Sequence, residues 1–190
     1  MDVAALYCLS DSIYHQISGV EVWDAARDAR SFPGGVPIVA HPPCAQWGRL
    51  RTFAKRNPAE RECALLAVQQ VRHNGGVLEH PAGSALWKAA GLPGVGHRDA
   101  FGGFSLMLSQ RWFGHPCEKK TLLYVCGIEP GAVPPLHEAF GGARYVIATN
   151  RRGRGARPVL PGSRWNHCRE RTPYLFALWL VELARRCKPA

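Results

Sequence analysis

A short apolar segment, a capped helix and a second short apolar segment follow one another in the first half of the chain. Val36 to Ala40 is rich in β-branched residues and follows two glycines, as is typical of a buried parallel strand. Asn57 followed by Pro58 favours a helix start, and Asn74 followed by glycine favours its end. Gly76 to Glu79 then predicts another strand. This βαβ pattern predicts parallel strands joined by a right-handed crossover.

The remaining segments extend this pattern to the whole chain. Further strands are predicted at Val3–Cys8, Val20–Asp24, Phe104–Phe113, Thr121–Ile128 and Tyr145–Ala148, a loop at residues 87–103, and a C-terminal helix at about 173–187. A length of 190 residues suits one well-cored domain. We therefore expect a single α/β domain over residues 1–190, with a Rossmann-like, open, mostly parallel sheet and flanking helices.

The charge of the chain predicts a polyanionic partner. Lys and Arg number 24 against 14 acidic residues, which gives a formal net charge of +10. A basic loop at about residues 149–171 contains Glu170 as its only acid. We expect contacts with DNA phosphates from Arg49, Arg51, Arg151, Arg152, Arg154 and Arg157. The alternative is a basic protein that its charge merely keeps soluble.

Other sequence features bear on the cellular setting. No apolar stretch approaches the roughly 20 residues that span a bilayer, and the amino terminus lacks the features of a secretory signal. The seven cysteines are scattered and none forms a Cys-x-x-Cys pair. We therefore expect reduced thiols, a cytoplasmic location and no membrane partner. No pattern in the chain indicates an oligomeric state.

Polar clusters lie at the ends of three predicted strands. They are His41 to Cys44, Glu79 to Pro81, and Phe113 to Lys119. The carboxyl ends of neighbouring parallel strands open into one crevice, and two consecutive prolines hold Cys44 on a stiff turn. A thiol, a carboxylate and an ammonium in one pocket can attack, hydrogen-bond and neutralise a flat polar ring such as a nucleobase.

The order of these motifs resembles that of the DNA cytosine-5 methyltransferases. Pro42-Pro43-Cys44 looks like their Pro-Cys motif, and Glu79-His80-Pro81 looks like the Glu-Asn-Val motif that follows it. Residues 113–119 resemble the later Phe-Gly-x-Pro-Gln-x-Arg segment, with Lys119 at the first arginine position. The resemblance covers about residues 36–128. It is to a compact, divergent type often carried by phages and mobile elements.

The resemblance implies a catalytic role for three residues. Cys44 would add to C6 of a cytosine, and Glu79 would hold the ring nitrogen N3. Lys119 would be the cationic member of the site. Thiolate character at Cys44 requires a nearby cation, for which Lys119 and Arg49 are the candidates. The target base would be flipped out of the duplex, because the reacting atom is not accessible inside it.

The resemblance also implies S-adenosylmethionine as the methyl donor. The family carries a Gly-rich loop after its first strand, whereas residues 6–12 here contain no glycine. Glu21 or Asp24 would then bind the ribose hydroxyls, and Asp28 would lie near the adenine. The residues expected to bind the cofactor are Tyr7, Glu21, Asp24, Asp28 and Pro42.

Four other interpretations compete with this one. The first is a nucleic-acid-binding protein that keeps the scaffold without cofactor or turnover. The second is an enzyme that uses Cys44 and Glu79 on a pyrimidine with a different donor. The third is a metal site, for which the candidate ligands are His41, Cys44, His80, His115 and Cys117. No Cys-x-x-Cys or His-x-Glu pair is present, so we expect no metal. In the simplest interpretation, Cys44 is a packed thiol and Glu79 a structural carboxylate.

Overall fold

A computed structural model describes residues 2–49, 51–136 and 171–189 of the chain. The strands are β1 (Val3–Leu6), β2 (Val20–Trp23), β3 (Ile38–Ala40), β4 (Gly76–Pro81), β5 (Phe104–Ser109) and β6 (Lys120–Cys126). The helices are α1 (Pro58–Asn74), α2 (Leu86–Ala89) and α3 (Tyr174–Arg186). Short 3₁₀ turns include Ile13–Gln16, Arg51–Phe53 and Gln110–Phe113.

Within the described residues, six strands form one mixed, mostly parallel sheet in the order β2-β1-β3-β4-β6-β5. Strands β2, β1, β3 and β4 pair in parallel, whereas β6 is antiparallel to both β4 and β5. Only residues 110–119 connect β5 to β6. A connection this short favours antiparallel pairing, because a parallel crossover needs a dozen or more residues. The predicted α/β class is confirmed, and the two antiparallel pairs refine it.

Helix α1 starts and ends at the residues that the sequence indicates. The Asn57 side chain accepts a hydrogen bond from the Glu60 amide, and Pro58 opens the first turn. Gly75 and Gly76 follow the helix with positive φ angles of 72° and 124°. A Cβ atom on Gly76 would lie 2.0 Å from the Ile38 carbonyl oxygen. Glycine at this position therefore lets β4 begin directly beside β3.

Successive strand residues point to opposite sides of the sheet, so the strands present two apolar faces. Helices cover both of these faces. The face against α3 buries Val3, Ala5, Val39, Val77, Phe176 and Leu180. The face against α1 buries Ala4, Ile38, Leu78, Ala64 and Val68. Strands buried on both faces explain the near-continuous apolar runs in the sequence.

Several predicted boundaries need correction. β1 ends at Leu6 rather than at residue 8, because Tyr7 adopts a left-handed conformation with φ of 60°. β5 ends at Ser109, and the 3₁₀ turn Gln110–Phe113 replaces the rest of the predicted strand. The segment predicted as a loop from residue 87 begins inside α2. The predicted C-terminal helix is confirmed. The strand predicted at Tyr145–Ala148, and the basic loop up to residue 170, lie outside the described residues.

Candidate functional site

A cavity of about 770 Å³ opens at the carboxyl ends of the parallel strands. The chain leaves β1 for β2 on one side and then places β3 on the other side of β1. Such a reversal of strand order marks the crevice where open α/β sheets bind ligands. The lining comes from the segments after β1 and β3, from Glu79 and Pro81 of β4 and from Glu60 of α1. Residues 114–119 before β6 and residues 171–173 before α3 also contribute to it.

The turn after β3 brings Cys44 to this cavity. The carbonyl of Cys44 accepts hydrogen bonds from the amides of Trp47 and Gly48, so the turn closes directly behind the cysteine. Cys44 is exposed, whereas Cys63 is partly buried. The other cysteines of the described ranges, Cys8, Cys117, Cys126 and Cys187, are buried. The thiol singled out by the Pro-Pro-Cys motif is therefore accessible.

Strand β4 brings Glu79 to the same cavity. Its side chain is only 12% exposed. His41 Nδ1 lies 3.1 Å from Glu79 Oε2. Glu79 Oε1 accepts hydrogen bonds from Gln110 Nε2 at 3.1 Å and from Thr121 Oγ1 at 3.2 Å. Both carboxylate oxygens are thus held by neighbouring side chains.

These neighbours keep Glu79 charged. Burial by itself would raise the pKa of the carboxyl group. The hydrogen bond from His41 and the positive charge of Lys119 more than offset burial and lower the pKa to about 2. Glu79 is therefore a carboxylate at neutral pH, able to accept hydrogen bonds and unable to donate them.

A second buried group completes this arrangement. The hydroxyl oxygen of Tyr14 lies 2.8 Å from His41 Nε2, and Tyr14 is 1% exposed. Burial raises the pKa of Tyr14 well above its usual value, so the hydroxyl keeps its proton. Tyr14, His41 and Glu79 form one hydrogen-bonded chain along the cavity wall.

Lys119, the cation that the resemblance predicts, has its own contacts at the cavity. It lines the cavity, and its ammonium group donates a hydrogen bond to the Arg171 carbonyl at 3.4 Å. Arg171 also lines the cavity and forms an ion pair with Asp11. The charge of Lys119 acts on Glu79. The three residues predicted as catalytic, Cys44, Glu79 and Lys119, are thus brought to one cavity.

The residues predicted to bind the cofactor divide into two groups. Tyr7 and Pro42 line the cavity, and the Tyr7 hydroxyl donates a hydrogen bond to Gln70 Oε1 at 2.8 Å. The three carboxylates do not line the cavity, and each has local partners. Glu21 pairs with Arg27, Asp24 accepts hydrogen bonds from the amides of Ala26 and Arg27, and Asp28 pairs with Arg30.

The predicted DNA contacts are placed only in part. Arg49 and Arg51 are exposed on the loop that follows Cys44, and neither lines the cavity. The same loop carries Phe53, which is 86% exposed. Arg151, Arg152, Arg154 and Arg157 lie outside the described residues.

The histidines considered as metal ligands have other surroundings. His80 is fully buried, and within the described part of the chain neither ring nitrogen has a hydrogen-bond partner. His115 Nδ1 accepts a hydrogen bond from the Cys117 amide. Among residues 2–49, 51–136 and 171–189, no group of three or more His, Cys, Asp or Glu side chains is placed to hold a metal ion.

Sequence reasoning missed three members of the site: Tyr14, Gln110 and Thr121. It considered His41 only as a metal ligand. Gln110 and Thr121 reach Glu79 because β6 runs antiparallel to β4, with Thr121 opposite Pro81. The polar residues at the start of the otherwise apolar β6 segment could have indicated that this end of the strand faces the site.

In comparisons with known proteins, neither a protein-family model nor a curated protein sequence matches the chain. Within the part of the chain that the structure describes, no helix has the length and apolar character needed to cross a bilayer.

Proposed function

We propose that the protein modifies a pyrimidine base in DNA through a covalent bond to Cys44, in the manner of the cytosine-5 methyltransferases that it resembles. One observation carries the proposal. An exposed thiol and a charged carboxylate, 35 positions apart in the sequence, line the same cavity at the carboxyl edge of the sheet. A cavity of this size is within the range that holds a small ligand such as a flipped nucleotide.

The proposed chemistry begins at C6 of the base. The sulfur of Cys44 forms a bond to C6, and the electron pair of the C5–C6 double bond shifts toward C4 and N3. Glu79 holds the ring edge through an N–H group, and Lys119 neutralises charge that builds up on the ring. C5 becomes nucleophilic and takes up an electrophile. Loss of the C5 proton and release of the thiolate restore the ring.

The family's methyl donor fits this cavity poorly. The carboxylates expected to hold S-adenosylmethionine, Glu21, Asp24 and Asp28, lie outside the cavity lining and are engaged by local arginine side chains or backbone amides. Tyr7 stands in a left-handed conformation directly after β1 and its hydroxyl is bound to Gln70. The poor fit favours a second candidate, an enzyme with the same Cys44 chemistry and a different donor.

Exchange of the C5 hydrogen tests the Cys44 step without any donor. In D₂O, addition of Cys44 to C6 lets C5 take a deuteron, and reversal leaves deuterium on the base. We expect cytosine-containing DNA incubated with the protein to gain deuterium at C5, measured by mass spectrometry of the nucleosides. Cys44→Ala should abolish the gain, and Cys63→Ala should preserve it. Absence of exchange with the unaltered protein contradicts the proposed chemistry.

Calorimetry with S-adenosylmethionine then separates the donors. Binding together with exchange supports methyl transfer. Exchange without binding supports a different donor. DNA binding without exchange or cofactor binding supports the scaffold interpretation, in which the protein only binds nucleic acid.

A further inference from the structure

The hydrogen-bonded chain from Tyr14 to Glu79 has a direction. Glu79 is an acceptor, so His41 carries its hydrogen on Nδ1, 3.1 Å from Glu79 Oε2. In the neutral imidazole, Nε2 then accepts a hydrogen bond. In that state the Tyr14 hydroxyl, 2.8 Å away, donates to this nitrogen. In a protonated imidazole Nε2 donates to Tyr14 instead, and in both states Nδ1–H donates to Glu79.

The hydrogen-bond partners of Glu79 also determine which kind of group a ligand must present to it. A carboxylate has about four acceptor positions. Among residues 2–49, 51–136 and 171–189, His41, Gln110 and Thr121 occupy three of them, and all three donate. The remaining position lies on Oε2, the oxygen that also accepts from His41. A ligand in the cavity therefore meets a fixed acceptor.

We infer that His41, held by Tyr14, is a positioning residue that presents Glu79 as a fixed hydrogen-bond acceptor for an N–H group of the bound pyrimidine. The inference rests on the proposed function for the identity of the ligand as a pyrimidine. The N–H has two chemical sources, the exocyclic amino group of cytosine or the ring N3–H of uracil and thymine. His41 itself forms no bond to the base.

Other groups around Glu79 also affect its charge. The titratable groups that influence it are Tyr14 from the turn after β1, His41 from the turn after β3, His80 from β4 and Lys119 from the segment before β6. The charge of Lys119 favours the carboxylate, whereas His80 does so only where it is protonated, below about pH 4. Removal of His41 alone therefore raises the pKa of Glu79, because burial, which favours the protonated acid, is then opposed by fewer groups.

Two substitutions at His41 separate positioning from packing. The amide N–H of asparagine occupies nearly the place of Nδ1, whereas that of glutamine occupies nearly the place of Nε2. His41→Asn keeps a donor to Glu79, and His41→Gln moves the donor away from it. Both variants remove the imidazole and keep an amide, so each is the matched control for the other.

The first measurement is the titration of Glu79 itself, followed by NMR in protein with ¹³C-labelled glutamate side chains. The Glu79→Gln variant assigns the signal. We expect Glu79 to stay ionised to about the same pH in His41→Asn as in the unaltered protein. In His41→Gln its titration midpoint should rise by at least about one pH unit. Equal midpoints in all three proteins overturn the inference. If His41→Gln does not fold, Tyr14→Phe replaces it and should raise the midpoint in the same direction, with Tyr174→Phe as its control.

The second measurement tests the N–H requirement with matched nucleotides. We expect deoxycytidine monophosphate to bind at least about tenfold more tightly than its N4,N4-dimethyl analogue, or deoxyuridine monophosphate more tightly than its 3-methyl analogue. The pair that shows the loss identifies the source of the N–H. Equal binding within both pairs overturns the inference. Loss of binding without C5 exchange retains the acceptor role and rejects the proposed reaction, so the two failures are distinguishable.

Discussion

Glu79 combines burial with a persistent charge, and this combination has an energetic cost that its neighbours offset. An unpaired buried carboxylate would be protonated or would destabilise the fold. Here three donor side chains and a nearby ammonium hold it. Perturbed acids in a cleft cluster at functional sites, although structural networks also produce them. The exposed thiol of Cys44 in the same cavity favours the functional interpretation.

His80, the next residue along β4, has the opposite character. It is fully buried on the other face of the strand from Glu79, and burial lowers its pKa to about 4 from 6.5. Glu79 and the backbone of Pro43 oppose this shift without overcoming it. His80 is therefore a neutral residue beneath the turn that carries Cys44.

The neutral state of His80 predicts how stability depends on pH. The unfolded chain takes up a proton at His80 below about pH 6.5, whereas the folded protein does so only near pH 4. Stability therefore falls as the pH drops from 6.5 to 4, by up to about 3 kcal/mol. We expect His80→Leu to flatten this part of the profile, measured by urea unfolding at a series of pH values. His73→Leu, on an exposed position of α1, is the control and should leave the slope unchanged.

At the scale of elements, the βαβ unit could be predicted because its signals are local. Asn57, Pro58 and Gly75 act within one turn of the helix end that they define. The partners of Glu79 depend on long-range pairing instead. Gln110 and Thr121 lie 31 and 42 positions from it, and they reach it only because β6 inserts antiparallel between β4 and β5. No local pattern encodes that choice of neighbour.

The contact between β3 and β4 holds the two halves of the site in register. Ile38 pairs with Gly76, and these strands lead to Cys44 and Glu79 respectively. The absent side chain of Gly76 allows the close approach, because a Cβ there would lie 2.0 Å from the Ile38 carbonyl oxygen.

We expect Gly76→Ala to separate the two strands and to lower the free energy of unfolding by about 3 kcal/mol or more. Gly91→Ala is the matched control, because Gly91 also has a positive φ but a Cβ atom added there would meet nothing within 4 Å. Gly91→Ala should lower the free energy of unfolding by only about 1 kcal/mol, because alanine is strained in a left-handed backbone conformation. Urea unfolding compares the two variants. Equal losses would show that the contact with Ile38 has no special role.

At the scale of the whole molecule, positive charge lies at both ends of the parallel strands, the carboxyl edge that carries the cavity and the opposite, amino-terminal edge. The loop after Cys44 carries Arg49, Arg51, Lys55 and Arg56, all exposed, beside the turn that lines the cavity. Arg185 lies at the opposite, amino-terminal edge, where it pairs with Asp2 directly before β1. Net charge alone therefore does not identify which face would contact DNA under the proposed function.

Salt dependence distinguishes the two edges. Each phosphate contact releases counterions, so the logarithm of the DNA-binding constant falls linearly with the logarithm of salt concentration, by about 0.9 per contact on duplex DNA. If the cavity edge faces the DNA, replacing both Arg49 and Arg51 with glutamine should reduce this slope by nearly 2. Arg186 follows Arg185 as the last residue of α3 and pairs with Glu182. The same replacement of Arg185 and Arg186 removes equal charge from the opposite edge and should change the slope little. Fluorescence anisotropy with a labelled duplex at several salt concentrations measures both slopes. A larger change from the Arg185 and Arg186 pair would place the DNA on the far edge, where a base flipped from the duplex has no route to Cys44.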